Sequence, residues 1–445
     1  MIIETLEFWN YRCFEHFEID FDPKLTVIVA PNGAGKTTIL DGITVVFGTY
    51  LGAFDESKGS GFINTDIRLA RNSLTGWYEA APPVKTVAKI CTSDKKDISI
   101  SRQNNSTAPN SKTSIKDAKS LTQLAKMLQD GVRKQEPVNL PILTYYGTGR
   151  IWKETKLTDL SKSTLSQSRT IGYRDCMNPS SSFKLFAYWF KQLTLSILQA
   201  KESEKYAIEP TTKLLIDLHG AVKRAVDKAI SFSGWSDIRY DGRFDEITVS
   251  NQDKIVIPVS MVSDGIKSIV SMAADIAFRC VKLNPHLSEK AVEKTKGIVL
   301  IDEIDMHLHP QWQQIVVPAF TEAFGNIQFI VTTHSPQVLT TVPPESIRIL
   351  RENHVEHVTF SLGAQSNDLL YMIQHVDPRP QNIEIVQKLN KYAKLVNHNE
   401  WDTQDALKLW SELCDWGGEY EKELRRLEID VRIREYERSI NEKNS

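Results

Sequence analysis

Residues 27–38, Val27-Ile28-Val29-Ala30-Pro31-Asn32-Gly33-Ala34-Gly35-Lys36-Thr37-Thr38, read VIVAPNGAGKTT. A β-branched run ends in a glycine-rich turn, and the following "TTILDGITVVFGTYL" carries apolar residues at helical spacing. Strand, glycine loop and helix in that order are the context of a phosphate-binding loop. The strict pattern G-x-x-x-x-G-K-[ST] fails only at its first position, where Ala30 stands. Alanine is the smallest side chain that can replace glycine there, and position 30 is the loop's entry rather than its turn. A glycine turn that merely caps a helix is the plainer reading, and the flanking strand and helix argue against it.

Such a loop works by wrapping backbone N–H groups around phosphate oxygens at a helix N-terminus. The residues that would cradle ATP are Asn32, Gly33, Ala34, Gly35, Lys36, Thr37 and Thr38. Gly33 and Gly35 permit the unusual backbone angles and the close approach. Lys36 would reach the β- and γ-phosphates, and the Thr37 hydroxyl would be a ligand of Mg2+.

The chain has 445 residues, too many for one ordinary core, which predicts a large domain with insertions or two to three subdomains. Its formal charge of −2 creates no global field toward nucleic acid or anionic membranes, so any nucleic-acid contact needs a local patch. No run approaches the roughly 18–20 apolar residues of a membrane helix, and the start, "MIIETLEFWNYRCFEHFEIDF", alternates like a strand rather than a signal peptide. Cys13, Cys91, Cys176, Cys280 and Cys414 lie far apart with no C-x-x-C pair, which suits a reducing compartment and predicts a cytoplasmic protein.

Strands are expected over "IIETLEF", "FEHFEIDF" and "KLTVIVA", then a β-hairpin over 85–102 turning at Asp94-Lys95-Lys96, and a polar loop over 103–114. Residues 183–205 and 211–232 are helical by period, and 244–260 are β-like. "GIVLID" (297–302) and "IQFIVTTH" (327–334) are buried strands separated by a helical segment, which points to an α/β core with parallel strands. After "SIRIL" (346–350) the chain turns mostly helical.

Three downstream features complete the chemistry. In "GIVLIDEIDMHLHPQW" an apolar strand ends in Asp302-Glu303, where a Walker B needs one acid for Mg2+ and a second to polarise the attacking water. In "FIVTTHSPQVL" another buried strand ends in His334, placed to contact the γ-phosphate. In "VSMVSDGIKSIVSMAADIA" the triplet Ser263-Asp264-Gly265 opens a helix. It is either a plain N-cap or an ABC-type signature whose helix N-terminus touches the γ-phosphate bound by a second subunit. The order of loop, triplet, acid pair and histidine favours the signature. His307 and His309 form an H-x-H, but no further His or Cys completes a metal set.

These blocks resemble the ABC-type ATPases of the RecF/SMC/OLD branch, often called AAA-family ATPases in bacteria. "NYRCF", "APNGAGKT", "YYGTGRIW", "YRDCMNPSSSFKLFAYWF", "VSDGIKS", "IDEIDMHLHPQWQ" and "VTTHSPQVL" carry the likeness over most of the chain. The resemblance implies an α/β fold: an ABC-type P-loop head over 1–360, with a mixed central sheet flanked by helices. Within it fall a β subdomain with loops at about 50–150, a helical insertion at about 173–240, and the signature, Walker B and histidine half at 260–350. It also implies an ATP-sandwich homodimer, with Arg12 near the nucleotide and the segment around Arg150 in the Q-loop region. The sequence departs from the pattern there, with no glutamine. It departs again at the signature, which lacks L-S-G-G, and at His309, where many relatives have Asp.

Nothing after His334 has the Glu and D-x-D pattern of the Toprim domain that the OLD nucleases carry, so no nuclease activity of its own is expected. Within the branch the chain most resembles PtuA, the ATPase subunit of Septu and Septu-type retron antiphage systems. That likeness implies an HNH nuclease partner of the PtuB type, docking on a helical region at 361–445, and in retron-linked systems a reverse transcriptase with its RNA and DNA. The ATPase subunit of a PARIS-type system is a sibling reading, and a RecF-like DNA repair ATPase that binds duplex directly is the reading from another class. A head that holds ATP without hydrolysing it is a third, though Lys36, Asp302, Glu303 and His334 are all in place.

Overall fold

The computed structural model describes residues 1–92, 96–108, 111–149, 168–179, 183–203 and 209–443. Asp94 and Lys95 of the expected hairpin turn, and Arg150, lie outside these residues. The chain divides into two compact units, Met1–Leu369 and Leu370–Ser445.

In the first unit, β1 (Ile2–Tyr11), β2 (Phe14–Asp20) and β3 (Leu25–Val29) lead through the glycine loop into α1 (Lys36–Leu51). A small hairpin, β4 (Leu69–Arg71) and β5 (Tyr78–Ala80), precedes β6 (Val84–Cys91) and β7 (Asp97–Asn104). Next come α2 (Lys119–Arg133), β8 (Ile142–Tyr146), and the paired helices α3 (Lys184–Ser203) and α4 (Pro210–Ile230). The strands β9 (Trp235–Asp241), β10 (Glu246–Asn251) and β11 (Val256–Pro258) form a small antiparallel sheet. After it run α5 (Asp264–Leu283), α6 (Ala291–Lys294), β12 (Gly297–Ile301), α7 (Pro310–Gln313) and α8 (Val316–Ala323). The unit continues with β13 (Ile327–Thr333), α9 (Pro336–Leu339), β14 (Ile347–Arg351) and β15 (His354–Glu356).

Among the described residues the central sheet has six strands in the order β15-β14-β3-β13-β12-β8. All are parallel except β15, which pairs antiparallel with β14. Every residue of β3, β8, β12 and β13 is buried, as parallel strands covered on both faces require. A second, antiparallel sheet runs β2-β1-β6-β7. Its inner face is an aromatic stack in which Phe8 lies against Tyr11 and Phe14 against Phe17. This is the mixed sheet flanked by helices, with an antiparallel β subdomain, that an ABC-type head needs.

Two elements differ from the expectation. Residues 235–241, placed at the end of a helical insertion, form β9. Residues 119–133, placed among loops of a β subdomain, form the helix α2, which buries Leu121 and Ala125 one turn apart. The β8 strand also belongs to the central sheet rather than to the β subdomain.

The second unit is helical: α11 (Glu384–Asn397), α12 (Gln404–Trp416) and α13 (Lys422–Lys443), with α10 (Ser366–Gln374) straddling the boundary. Its core gathers Leu389, Tyr392, Val396, Trp401, Leu413 and Leu427. Among the described residues no helix is long and apolar enough to cross a membrane.

Candidate active site

The register of the central sheet assembles the site. Val29 pairs with Thr333, and Ile301 pairs with both Val331 and Tyr146. Four parallel strands therefore end at one edge, the carboxyl edge where open α/β sheets bind ligands. The chain continues from those ends into the glycine loop, Asp302-Glu303 and His334.

In the loop, Gly33 and Gly35 take φ of 80° and 99°, conformations that side-chain-bearing residues adopt only with strain. A Cβ on Gly35 would also sit 2.4 Å from the Phe14 ring, so the loop lies directly on the second sheet. Ala30 is buried and has no positive φ, which explains why glycine is not needed there. Gly35 is the N-cap of α1 and no side chain caps that helix, leaving its first N–H groups for a ligand.

Lys36 donates to the Ala30 carbonyl (2.9 Å), the Pro31 carbonyl (3.3 Å) and Nε2 of His334 (2.6 Å). Burial lowers the Lys36 ammonium from its ordinary range, against the pull of Asp302, Glu303 and Asp305. Burial, and then Lys36, lower His334 as well, which favours the neutral imidazole that can accept this hydrogen bond.

Asp302 is held at both oxygens. Thr37 Oγ1 donates to Oδ2 (2.7 Å) and Thr332 Oγ1 to Oδ1 (2.6 Å), while the Asp302 N–H donates to the Tyr146 carbonyl (2.8 Å). Thr332 Oγ1 also accepts the Glu303 N–H at 2.8 Å. Glu303 has φ 48°, a conformation rare for a non-glycine residue, which marks a constrained turn. The turn continues with Thr333 Oγ1 donating to Asp305 (2.6 Å) and the Leu308 N–H donating to the Asp305 carbonyl (3.1 Å).

Arg12 is anchored by two carboxylates: its guanidinium bonds Asp66 (2.9 Å) through Nε and Asp41 of α1 (2.5 Å) through Nη1. Ser263 is the N-cap of α5, yet its side chain makes no capping hydrogen bond, and Ser263 and Asp264 are both exposed. Gly265 is the point of contact with the acid turn: a Cβ there would lie 2.6 Å from the His307 carbonyl oxygen. His309 caps α7, its Nδ1 accepting the Gln311 N–H at 3.3 Å.

The structure thus brings together Lys36, Thr37, Asp302 and His334, with Glu303 in the same turn, while Gly265 packs against His307 and Ser263 and Asp264 stay exposed. Sequence reading missed Thr332, although a hydroxyl inside an apolar strand, two residues before His334, is a usable signal. It also missed a buried network on α5. Asp275 Oδ2 accepts from Tyr146 Oη (2.7 Å) and from Arg279 Nε (2.7 Å), and Arg279 donates further to the Gly172 carbonyl (2.7 Å). The same Tyr146 whose carbonyl holds Asp302 therefore holds the middle of α5.

The donor set fits a magnesium–triphosphate pair. Thr37 and Asp302 offer hard oxygen donors within one hydrogen bond of each other, beside a lysine and an uncapped helix N-terminus.

Comparison with known proteins agrees. A family described as "AAA domain" matches residues 5–218, and one described as "AAA domain, putative AbiEii toxin, Type IV TA system" matches residues 118–340, half of the chain. The chain is 28% identical to "Retron Ec83 probable ATPase" of Escherichia coli, covering 96% of this chain and 86% of that protein. It is 23% identical to "Septu protein PtuA" of Bacillus thuringiensis, covering 76% of this chain and 73% of that protein. A solved SMC head bound to the C-winged helix domain of ScpA is similar over 81% of this chain and 99% of that one, at 18% identity and a TM-score of 0.46. The family match over half the chain and the two homologues over most of it lead to one conclusion: this chain belongs to the second of those AAA-domain families and is an AAA-family ATPase homologous to retron ATPases and Septu PtuA.

Proposed function

We propose that the chain hydrolyses ATP as the regulatory subunit of an antiphage defence complex and controls a separate HNH-type nuclease. The observation that carries the reading is the hydrogen-bonded convergence of Lys36, Thr37, Asp302 and His334 at the carboxyl edge of one parallel sheet. The retron and Septu homologues supply the biological setting.

Thr37 and Asp302 would hold Mg2+, which when bound neutralises charge on the β- and γ-phosphates. Lys36 exchanges the Ala30 and Pro31 carbonyls for phosphate oxygens. Glu303, fixed through its N–H by Thr332, orients and polarises the attacking water, and His334 responds to the γ-phosphate. Arg12, tethered to α1 through Asp41, borders the nucleotide. The exposed α5 N-terminus, with the Ser263 hydroxyl unspent on capping, completes the site of a second copy through Ser263, Asp264 and Gly265. ATP then joins two heads, and hydrolysis loosens them. The nuclease docks on the helical region after residue 360, and in a retron-linked system the reverse transcriptase with its RNA and DNA joins the assembly.

The test is Glu303→Gln. Turnover should fall by about 10²–10⁴-fold while the ATP-bound dimer accumulates in sedimentation. Full turnover in that variant removes Glu303 as the base. Copurification of a small HNH protein supports the regulatory reading. A steep loss of duplex-DNA affinity with salt, by the chain alone, favours the RecF-like reading instead.

A further inference from the structure

The last helix, α13, has two heptad-spaced stripes on opposite faces. One consists of Leu424, Leu427 and Val431, continued by Arg434 and Arg438. Leu424 and Leu427 are buried against the core of the second unit, with Val431 packed beside them. Arg434 donates to Asn399 (2.6 Å) and Arg438 to Asp402 (2.9 Å), which fixes that face inward.

The other stripe is Ile429, Ile433, Tyr436 and Ile440, spaced four, three and four residues apart. These residues are 58%, 51%, 68% and 40% exposed. An otherwise highly charged helix gains nothing from presenting three isoleucines and a tyrosine in register to water, and the 3-4 spacing is that of a two-stranded helical seam. With Ile433 and Ile440 at the a positions and Ile429 and Tyr436 at d, β-branched residues occupy a, as two-stranded pairing prefers.

The flanking charges choose both the occupant and its direction. The g positions hold Arg425 and Arg432, and the e positions hold Asp430 and Glu437. In a parallel pair, each g residue faces the e residue five positions further along the other helix. Arg425 then meets the partner's Asp430, and Arg432 meets the partner's Glu437. An antiparallel pair would instead oppose arginine to arginine and acid to acid. We infer that two copies of this chain join through α13 as a parallel, in-register seam.

The seam covers eleven rises of the helix, about 16 Å, so alone it is weak. It gains strength where another contact already holds the copies together and raises their effective concentration. The seam involves no residue of the nucleotide site and forms without ATP, so its failure and the failure of the ATPase reading are separable.

The test uses the full chain at high protein concentration without nucleotide, with the exposed thiols removed as Cys13→Ser and Cys414→Ser. Ile433→Cys should form a disulfide between copies under mild oxidation, whereas Glu435→Cys, at an outward c position, should not. Arg425→Glu with Arg432→Glu should lower the yield at position 433 several-fold, and adding Asp430→Lys with Glu437→Lys should restore it. Circular dichroism of each variant separates lost pairing from lost folding. Equal yields at 433 and 435, or no yield at 433, would overturn the inference. So would an Ile429→Cys to Ile440→Cys cross-link in preference to 433, the mark of an antiparallel pair. Charge reversal without effect would also overturn it, as would an HNH protein that shields position 433 from modification while the chain stays monomeric.

Discussion

The strands that deliver the site and the helix that ends the chain solve opposite problems. In β3, β12 and β13 every residue is buried, and the polar groups gathered at their carboxyl ends are spent on one another: Thr332 on Asp302, Thr37 on Asp302, Lys36 on Ala30 and His334. In α13 one face is committed to its own unit and the other leaves Ile429, Ile433, Tyr436 and Ile440 outward. The bonds that place Lys36, Thr37, Asp302 and His334 all lie within one chain and depend on register. The proposed role of the second region depends on another chain. An injury to one should leave the other readable.

The largest expected effect is at Lys36. Lys36→Ala should cut ATP turnover by roughly 10²–10³-fold, measured as phosphate release, and leave association through the helical unit intact. Truncation near residue 360 should do the reverse, preserving nucleotide affinity by titration while losing the nuclease from pull-downs. If truncation abolished nucleotide binding, the two regions would not be separable.

Next is Arg279→Met, which leaves the buried Asp275 carboxylate without its cationic partner while the Tyr146 hydroxyl still donates to it. Removing one partner of a buried pair costs about 3–5 kcal/mol, read as a lower denaturation midpoint of the first unit. The α13 variants should not share this loss.

Thr332→Val is smaller. It removes the bonds to Asp302 and to the Glu303 N–H without changing shape, at about 1–3 kcal/mol. Because Asp302 is then less firmly aimed, the Mg2+ concentration needed for half-maximal phosphate release should rise. An unchanged requirement would show that Thr37 alone orients Asp302.

The smallest effect is acid sensitivity at His219, stacked on Phe190 between α3 and α4. Burial first, then Lys223 and Lys201, push this imidazole from 6.5 down to about 4. The unfolded chain binds the extra proton between those values, so the contribution to stability is present above pH 6.5 and is lost as pH falls toward 4. Thermal midpoints at pH 7 and pH 4.5 should differ less for His219→Gln than for the parent.

Much of the first region was legible because buried apolar runs locate strand ends, and a P-loop ATPase puts its charged residues there. "GIVLI" before Asp302 and "IQFIVTT" before His334 are examples. The roles that depend on pairing across the fold were not legible. Resemblance alone sets Arg12 near the nucleotide, and its anchorage to Asp41 and Asp66, 29 and 54 residues away, emerges only when the fold brings them onto it. The strand Trp235–Asp241 escaped because a register shift opposite Thr248–Ser250 and a positive φ at Asp237 break the alternation that marks a half-buried strand. Ser263 read correctly as the helix start, but not as an N-cap whose hydroxyl stays unused.

One consequence follows from the way α5 is fastened. Its first turn abuts the His307 carbonyl at Gly265, and ten residues on, about 15 Å along the axis, Asp275 is tied to the tyrosine that also holds Asp302. A rod pinned at two separated points cannot pivot about either one alone. Movement of the acid turn must therefore carry the whole helix, Ser263 included, as a single lever arm. In the proposed dimer, whatever happens to the phosphates in one protomer would be felt as displacement at the tip offered to the other.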